Sequence, residues 1–246
     1  ILHSIDEQGN LTGELEQQIS EAETMTELED IYLPFKPKKK TRASVARARG
    51  LEPLAKMIMS QGDGDPLQMA ERFVDPEKEV SSVEEALGGA RDIIAEWISE
   101  HRYCRKQLRR LFHHEGIIHS RVSRGKETEG QNYRTYFDWK EPVKRVPSHR
   151  YLAMIRGETE GFLKVEISPP QDKAIDSISK IFIKGNNPLS HEVEKALTDS
   201  YKRLLRPAME TEVRAETKEK ADEKAIKVFV ENLRQLLMAP PLGSRN

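Results

Sequence analysis

The sequence predicts a mainly α-helical protein with at most a little β-structure, a multi-helical N-terminal region and a long central helix. Of its 246 residues, 33% are charged, 37% are hydrophobic and only 6% are aromatic. A β-sandwich would need more β-branched and aromatic residues, so this composition favours helices. Apolar residues also recur at helical spacing over two long stretches, 93–112 and 190–238. We therefore expect an N-terminal helical domain over 1–126 and a central region over 127–246 that ends in the long helix.

Charge is segregated along the chain although the net charge is only −1. The balance gives no bulk attraction to nucleic acid or membrane. No Lys or Arg occurs from Ser4 through Phe35, whereas the stretch from Lys36 to Arg49 is basic and contains no acid. The single cysteine excludes an intramolecular disulfide and predicts a reducing, cytoplasmic compartment. No apolar run reaches the ~20 residues of a membrane span, so we expect no membrane partner, and we expect a monomer.

Turn and capping residues predict where the first helices begin and end. A helix is predicted over 10–29, with Thr12 as its cap, and prolines then hold the chain extended. Thr41 is a good N-cap for a short helix over 42–49 that ends at Gly50, and Pro53 fits the first turn of the next helix. Two short helices about a glycine turn have the outline of a helix-turn-helix, although a plain αα-hairpin shares this pattern.

The middle of the chain carries the clearest amphipathic pattern. After a loop at 61–66 and a short helix at 69–73, Ser82 is predicted to cap a core helix whose apolar stripe reaches Phe112. Cys104 lies on this stripe, so we interpret it as a packing residue and not as a reactive thiol. The Gly88-Gly89 pair lacks the rest of a dinucleotide-binding pattern, and we interpret it as a place of close helix packing.

Weaker signals follow. Residues 117–122 fit a short strand or a further helical turn, and aromatic residues gather at 132–139. Ser148 is predicted to cap a helix through Arg156, after which 161–168 has the pattern of a strand. A helix over 172–183 precedes a turn at 185–188 and the long final stretch.

The final stretch, 190–238, is predicted to contain two helices, of which Pro207 opens the second. Without a further Pro or any Gly, the run to Met238 can form a rod of about 45 Å. Its middle is polar almost all round, which is typical of a strut between domains or of a helix stabilised by its own charge pairs. The expected pairs are Glu210 with Arg214, Glu216 with Lys220, and Glu223 with Lys227.

Motifs for catalysis are absent from the sequence. It contains no Walker-type phosphate loop, no dinucleotide-binding glycine pattern, no nucleophile elbow and no HExxH motif. His113, His114 and His119 with Cys104 match no usual zinc spacing. The sequence therefore predicts no enzyme, no metal site and no cofactor.

Two basic clusters remain as candidate sites, within 36–49 and within 102–126. Lys and Arg that neutralise phosphates give a salt-dependent, sequence-independent affinity, so the expected partner is RNA or single-stranded DNA. The first cluster has an alternative role in neutralising the acidic N-terminal helix. Tyr32 and Phe35 can stack on bases, but neighbouring apolar residues favour a core role for them. The candidate nucleic-acid-binding residues are Lys36, Lys38, Lys39, Lys40, Arg42, Arg47, Arg49, Arg109, Arg110, Arg121, Arg124 and Lys126.

Three passages together resemble the bacterial Tex transcription-accessory family. They are 24–43, which includes Leu-Glu-Asp-Ile-Tyr-Leu-Pro-Phe, with Gly-Leu-Glu-Pro-Leu-Ala at 50–55; Tyr-Phe-Asp-Trp at 136–139 with 141–153; and Tyr-Lys-Arg-Leu-Leu-Arg-Pro at 201–207 with 225–242. The resemblance implies a helical region with a helix-turn-helix-like element and a central helix, related to a eukaryotic elongation factor that chaperones histones. It also implies a longer protein with a YqgF-type ribonuclease-H-like domain, helix-hairpin-helix units and an OB-fold RNA-binding domain. Because the chain lacks an initiator Met and ends where the next domain would begin, we expect a fragment.

Two functional hypotheses follow. In the first, the chain is a non-enzymatic scaffold of a Tex-like transcription accessory factor that contacts DNA or RNA backbone weakly. In the second, it is a protein–protein interaction module that docks a transcription partner such as RNA polymerase, while the absent C-terminal domains bind nucleic acid. If the long helix is a spine for absent domains, Ala221 and Ala225 should both be exposed.

Overall fold

A computed structural model describes residues 1–37 and 40–238. Within them it shows twelve α-helices and one three-stranded sheet, which confirms the mainly α-helical prediction. The chain forms two compact units. Unit 1 contains Ile1–Leu108 and Asp172–Pro207, and unit 2 contains Arg109–Gln171 with the chain from Ala208 onward. The expected domains over 1–126 and 127–246 stay a prediction.

The helices are short in the N-terminal third and longer afterwards. They are α1 Leu2–Asp6, α2 Gly13–Ser20, α3 Met25–Tyr32, α4 Arg42–Ala48, α5 Glu52–Ser60, α6 Pro66–Glu71, α7 Val83–Glu100, α8 Arg102–Glu115, α9 Ser148–Thr159, α10 Gln171–Phe182, α11 Pro188–Ser200 and α12 Arg206–Met238. The strands are β1 Ile117–Val122, β2 Asp138–Pro142 and β3 Leu163–Ser168.

The single helix predicted over 10–29 is wrong, because two helices occupy this range. Thr12 caps α2 by accepting a hydrogen bond from the Leu15 N–H at 3.2 Å, as expected. Thr24 does the same for α3, accepting from the Glu27 N–H at 3.2 Å. A second threonine able to cap a helix starts a new one here, since a capped terminus satisfies backbone N–H groups that would otherwise lack partners.

Local signals around α4 and α5 are confirmed. The Thr41 hydroxyl accepts from the Ser44 N–H at 3.0 Å, and the Ser44 hydroxyl accepts from the Thr41 N–H at 2.8 Å, so the two residues form a capping box. Gly50 has a φ of +80°, the left-handed conformation predicted for the end of α4. Pro53 lies in the first turn of α5. The helix-turn-helix itself stays a prediction.

Helix α7 lies at the centre of unit 1 and contacts α4, α5, α6 and α11. Its residues Ile93, Ile94 and Ile98 are fully buried. Gly89 lies in the second turn of α7, and a Cβ atom there would overlap the Leu51 side chain and lie 3.3 Å from the Ala46 Cβ. The interpretation of the glycine pair as close helix packing is therefore correct for Gly89, although the pair lies inside the helix.

The apolar stripe predicted as one core helix is divided at His101. This residue has an extended backbone (φ −68°, ψ 110°), and α8 begins directly after it. Its ring nitrogen Nδ1 accepts from the Cys104 N–H at 3.2 Å, so the side chain acts as a cap for α8. Burial lowers the pKa of His101, which favours the neutral ring that this contact requires. Cys104 is fully buried, and burial raises the pKa of its thiol to about 12, as expected for a packing residue.

Unit 2 is built on an antiparallel sheet in the order β2-β1-β3. Residues 117–122 are thus a strand, the predicted strand near 161–168 is confirmed, and β2 is an element that the sequence did not reveal. Ile118 lies opposite Ile167 in the register, both are buried, and α9 packs against β3. Ser148 is the first residue of α9 and not its N-cap: the cap position is Pro147, which offers no side-chain hydrogen bond.

The helical prediction for 190–238 is confirmed, with a π-helical turn at Tyr201–Leu205 between α11 and α12. Proline lacks an N–H and crowds the carbonyl four residues earlier, so a widened turn before Pro207 lets the helix continue. The 33 residues of α12 correspond to about 50 Å. Ala225 is exposed as predicted, but the prediction for Ala221 is wrong, because this residue is only 3% exposed.

The charge pairs on α12 also differ from those expected. Arg214 pairs with Glu158 of α9 and also donates to the Val165 carbonyl, while Glu210 accepts from the Ile167 N–H at 2.9 Å. The Glu216–Lys220 pair is present, at 3.9 Å. Tertiary partners thus replace a local i,i+4 pair because they engage backbone groups of β3 as well.

We predict that Gly89→Ala destabilises the chain while Gly88→Ala does not. The added methyl at residue 89 must displace the buried Leu51 side chain, and such overpacking costs about 1–3 kcal/mol, against a helix-propensity gain of about 1 kcal/mol. At residue 88 the nearest atom outside the helix backbone is the Arg91 Nη2, 3.9 Å away, so only the gain applies. Urea unfolding of both variants measures the difference, and equal midpoints would contradict the close approach.

Candidate nucleic-acid interface

The first basic cluster contains exposed and half-buried cations. Lys36, Lys40 and Arg42 are exposed, and within 1–37 and 40–238 none of them forms an ion pair. Lys38 and Lys39, which were also predicted to bind nucleic acid, lie outside the described residues. The capped start of α4 holds the Arg42 backbone in place, so this cation projects from an ordered helix.

Arg47 connects α4 to α7. Its Nη1 donates to the Glu96 Oε1 at 2.6 Å, and its Nε lies 3.5 Å from the Glu52 Oε2. The Glu96 side chain is only 9% exposed and also accepts from the Thr41 hydroxyl at 3.3 Å. A buried carboxylate needs such partners, so Arg47 is held for packing and is poorly available to a ligand.

Arg49 is also paired, though nearer the surface. Its Nη2 donates to the Glu79 Oε2 at 2.9 Å. This hydrogen bond and the Arg49 charge, with a smaller effect of Lys40, hold the pKa of Glu79 below its usual value. Because Glu79 is exposed, a phosphate can compete for Arg49 more easily than for Arg47.

A groove of about 620 Å³ runs beside these residues, between α4 and the first half of α7. Lys40, Arg42 and Arg49 line it together with the carboxylates of Glu79, Glu85 and Asp92. Burial raises the pKa of Asp92, although the charges of Arg203 and Arg42 act in the opposite direction. The groove therefore has mixed charge, and the part of the cluster suited to phosphate contact is its exposed edge.

The second basic cluster also contains both paired and unpaired cations. Arg109 Nε donates to the Glu212 Oε2 at 2.8 Å within unit 2, Arg121 lies 2.8 Å from Glu166, and Lys126 lies 2.7 Å from Glu129. Arg110 and Arg124 are exposed and form no ion pair in the described parts of the chain. Arg105, which also lies within 102–126, is buried, and its Nε donates to the Asp30 Oδ1 at 2.6 Å.

The sheet brings in two cations that the sequence did not single out. In the register, Arg121 lies beside Lys164, and His119 lies beside Lys140. All four project from the face of the sheet opposite the buried Ile118 and Ser120. Glu166 and Asp138 share this face and pair with Arg121 and His119 respectively. The alternation of Lys164 and Glu166 within β3 was the available signal.

The aromatic residues considered for base stacking are occupied within the fold. The Tyr32 hydroxyl is hydrogen-bonded to the Ser4 hydroxyl at 3.1 Å, and both Tyr32 and Phe35 are half-buried. In unit 2, the Arg150 guanidinium lies 4.8 Å from the Trp139 ring centre, and the Trp139 indole N–H donates to Glu141 at 3.2 Å. A role in packing explains these contacts.

The described residues contain neither a membrane-spanning helix nor a cluster of metal ligands. No helix among them is long and apolar enough to cross a membrane. No three His, Cys, Asp or Glu side chains in 1–37 and 40–238 are grouped as metal ligands. The sequence-based expectation that the chain uses no cofactor stays an expectation.

The described residues form a mainly helical protein of two compact units with charged surfaces. A family model described as Tex central region-like matches residues 61–229, so the chain belongs to the Tex family. It is 43% identical over 248 residues to the uncharacterized protein YdcI of Bacillus subtilis, covering all of this chain and 34% of that protein. It is 37% identical over 259 residues to Protein tex of Bordetella pertussis, covering all of this chain and 33% of that protein.

A more distant relative is named S1 RNA-binding domain-containing protein 1, from Homo sapiens. It is 27% identical over 260 residues, which cover 99% of this chain and 26% of that protein. The chain thus spans about a third of the length of its bacterial relatives and about a quarter of this human one.

We predict that Arg47→Met lowers stability, whereas Arg42→Met does not. Loss of Arg47 leaves the Glu96 carboxylate short of a charged partner, which should cost about 1–3 kcal/mol. Arg42 is exposed on the same helix, so its loss should cost less than about 0.5 kcal/mol. Thermal and urea unfolding measure both changes. An unchanged midpoint in Arg47→Met would show that this arginine is free to serve a ligand.

Proposed function

We propose that the chain is a non-enzymatic, nucleic-acid-associated scaffold region of a Tex-family transcription accessory protein, and that it contacts DNA or RNA backbone weakly. The observation that carries the proposal is the set of predicted cations that stay exposed without an ion pair in the described residues. These are Lys36, Lys40, Arg42, Arg110 and Arg124. A relative in Neisseria gonorrhoeae, 38% identical, is named transcriptional accessory protein Tex, and the human relative's name includes RNA binding.

The pairing of the other cations argues for weak binding. Arg47, Arg49, Arg109, Arg121 and Lys126 already have carboxylate partners, so a phosphate must displace these partners before it gains a contact. Exposed Lys and Arg contribute through counterion release, with a slope of about 0.7 in log affinity against log salt per phosphate on single strands. Few free cations therefore give a modest affinity, which falls with salt in proportion to the number of phosphates contacted. Such backbone contacts need no base reading, and the partner that we propose is RNA or single-stranded DNA bound without sequence preference.

We predict that the triple variant Lys36→Gln, Lys40→Gln, Arg42→Gln weakens binding to a labelled single-stranded RNA at low salt. Loss of three phosphate contacts should reduce the salt slope by about 2. Fluorescence anisotropy across a salt series measures both the affinity and the slope.

A matched control removes the same charge elsewhere. Lys224, Lys227 and Arg234 are exposed on α12 and lie outside both basic clusters, so their replacement by Gln should leave the slope within experimental error of the unmodified chain. If both triple variants lose affinity equally, the cations act only through net charge, and the assignment of the first cluster is incorrect.

A second function is favoured by the last part of α12. Large apolar residues are exposed there, and Phe229 is 65% exposed. Ile226, Phe229, Leu233 and Leu236 recur at three- and four-residue spacing, which places them on one face of the helix. Exposed apolar faces of this kind mark protein interaction sites. In this reading the chain docks a transcription partner such as RNA polymerase, and other domains of the longer protein bind nucleic acid.

We predict that the variant Phe229→Gln, Leu233→Gln, Leu236→Gln abolishes binding of purified RNA polymerase if this second function is correct. Glutamine keeps the helix propensity while removing the apolar face. The control Lys224→Gln, Glu231→Gln changes residues seven apart that lie outside this apolar stripe and should bind as before. Biolayer interferometry measures the binding, and a polymerase that binds neither the variants nor the unmodified chain contradicts this function.

A further inference from the structure

Unit 2 contains a cavity that none of the candidate nucleic-acid-binding residues lines. It has a volume of about 470 Å³ and lies between the last turn of α8, the segment 143–146, the start of α9 and the middle of α12. This volume falls within the range of pockets that hold small ligands. Tyr151 and Ala221 in its wall are buried, so the cavity is a feature of the packed unit and not of a loose surface.

One part of the cavity wall is basic. His113, His114, Lys144 and Lys220 all line it. The opposing charge is Glu216, whose Oε2 lies 3.2 Å from the His113 Nε2 and 3.9 Å from the Lys220 Nζ. The nearby Asp222 is paired with Lys218 at 2.7 Å. Lys220 and His113 thus share one carboxylate, and His114 and Lys144 form no ion pair in the described residues, so an anion finds unneutralised donors here.

The rest of the wall suits the uncharged part of a ligand. Val143, Val146 and Ala221 supply apolar surface. The Tyr151 hydroxyl donates to the Arg214 carbonyl at 3.0 Å, and the Thr217 hydroxyl donates to the Val213 carbonyl at 2.6 Å. Because Tyr151 is fully buried, it is the Thr217 oxygen whose lone pairs can accept hydrogen bonds from ligand hydroxyl groups.

We propose that this cavity binds a phosphate monoester carried on a nucleoside-sized group. The phosphate lies among His114, Lys144 and Lys220, because a dianion with three terminal oxygens can satisfy several donors at once. The ring packs on Val143 and Val146, and a sugar hydroxyl donates to the Thr217 oxygen. Two ligands share this chemistry: a free nucleoside monophosphate and the 5′-phosphorylated end of an oligonucleotide. The proposal is independent of the nucleic-acid interface, since the two sites share no residue.

Isothermal titration of the 246-residue chain tests the ligand class. Adenosine monophosphate should bind at low salt, and adenosine should bind at least about tenfold more weakly, because it lacks the charged group. A 5′-phosphorylated oligonucleotide that binds more tightly than the same strand with a 5′-hydroxyl identifies the strand end as the ligand. Equal affinities of the two strands, with binding of the monophosphate, identify the free nucleotide. If adenosine binds as well as the monophosphate, or if neither binds, the proposal is overturned.

A double variant that removes two positive charges tests where the monophosphate binds. Lys144→Gln with Lys220→Gln removes two exposed cations and should weaken binding of the monophosphate by about tenfold or more. The control Arg145→Gln with Lys224→Gln removes two exposed cations next to them that do not line the cavity, and should bind within about twofold of the unmodified chain.

Nuclear magnetic resonance gives a readout that a general loss of charge would not produce. The imidazole signals of His113 and His114 should shift when the monophosphate is added, while those of the exposed His191 in unit 1 should not. Equal weakening in both double variants, or binding without a shift at His113 and His114, places the ligand elsewhere and overturns the assignment.

Discussion

Arginine–carboxylate pairs between helices are the interaction on which the rest of this structure depends. Asp30 with Arg105, Glu96 with Arg47, and Glu192 with Arg91 connect distant parts of unit 1, and each carboxylate is buried. Glu158 with Arg214 plays the same part in unit 2. At Glu192, burial, which raises the pKa, is outweighed by Lys195 and Arg91, so its pKa is lowered and the charged form is kept. Such pairs add little net stability over apolar contacts, but losing one partner is costly, so they fix which helix faces meet.

The same pairs decide which cations remain for a ligand. Arg47 and Arg109 belong to the basic clusters in the sequence, yet in the structure each holds a carboxylate of its own unit. Arg42 and Arg110 stand only a few residues away and are exposed. A cluster of basic residues in the sequence therefore predicts a larger binding surface than the structure offers, because paired and exposed arginines alternate along the same helix. A structural arginine differs from a free one by having a carboxylate partner more than forty residues away in the sequence. No local sequence pattern reveals such a partner.

Features with a local determinant could be predicted from the sequence. Examples are the caps at Thr12, Thr41 and Ser82, the left-handed Gly50 and the helical run after Pro207, which all depend on a few neighbouring residues. Features that a distant contact determines could not be predicted in this way. His101 continues an apolar stripe in the sequence, but its ring caps α8 and packs edge-to-face on Phe182 at 5.0 Å. Among the described strands, β2 pairs with β1 and lies at the edge of the sheet. Its sequence, Asp-Trp-Lys-Glu-Pro, has no sustained apolar–polar alternation, so its hydrogen bonds define it more than its composition does.

Helix α12 shows within a single element that local sequence does not determine burial. Its first half presents Met209, Val213 and Ala221 to the interior of unit 2, and all three are buried. Its second half repeats the apolar spacing with Phe229 and Leu233, which are exposed. The spacing of apolar residues in the sequence predicts an apolar face on a helix, and it does so equally for both halves of α12. Whether the face is covered depends on what the chain brings against it, and the chain spans only about a third of its bacterial relatives. The burial of Ala221 beside a basic cavity, and the exposure of Ala225 one turn later, thus mark the point on α12 after which its described residues, 223–238, are exposed.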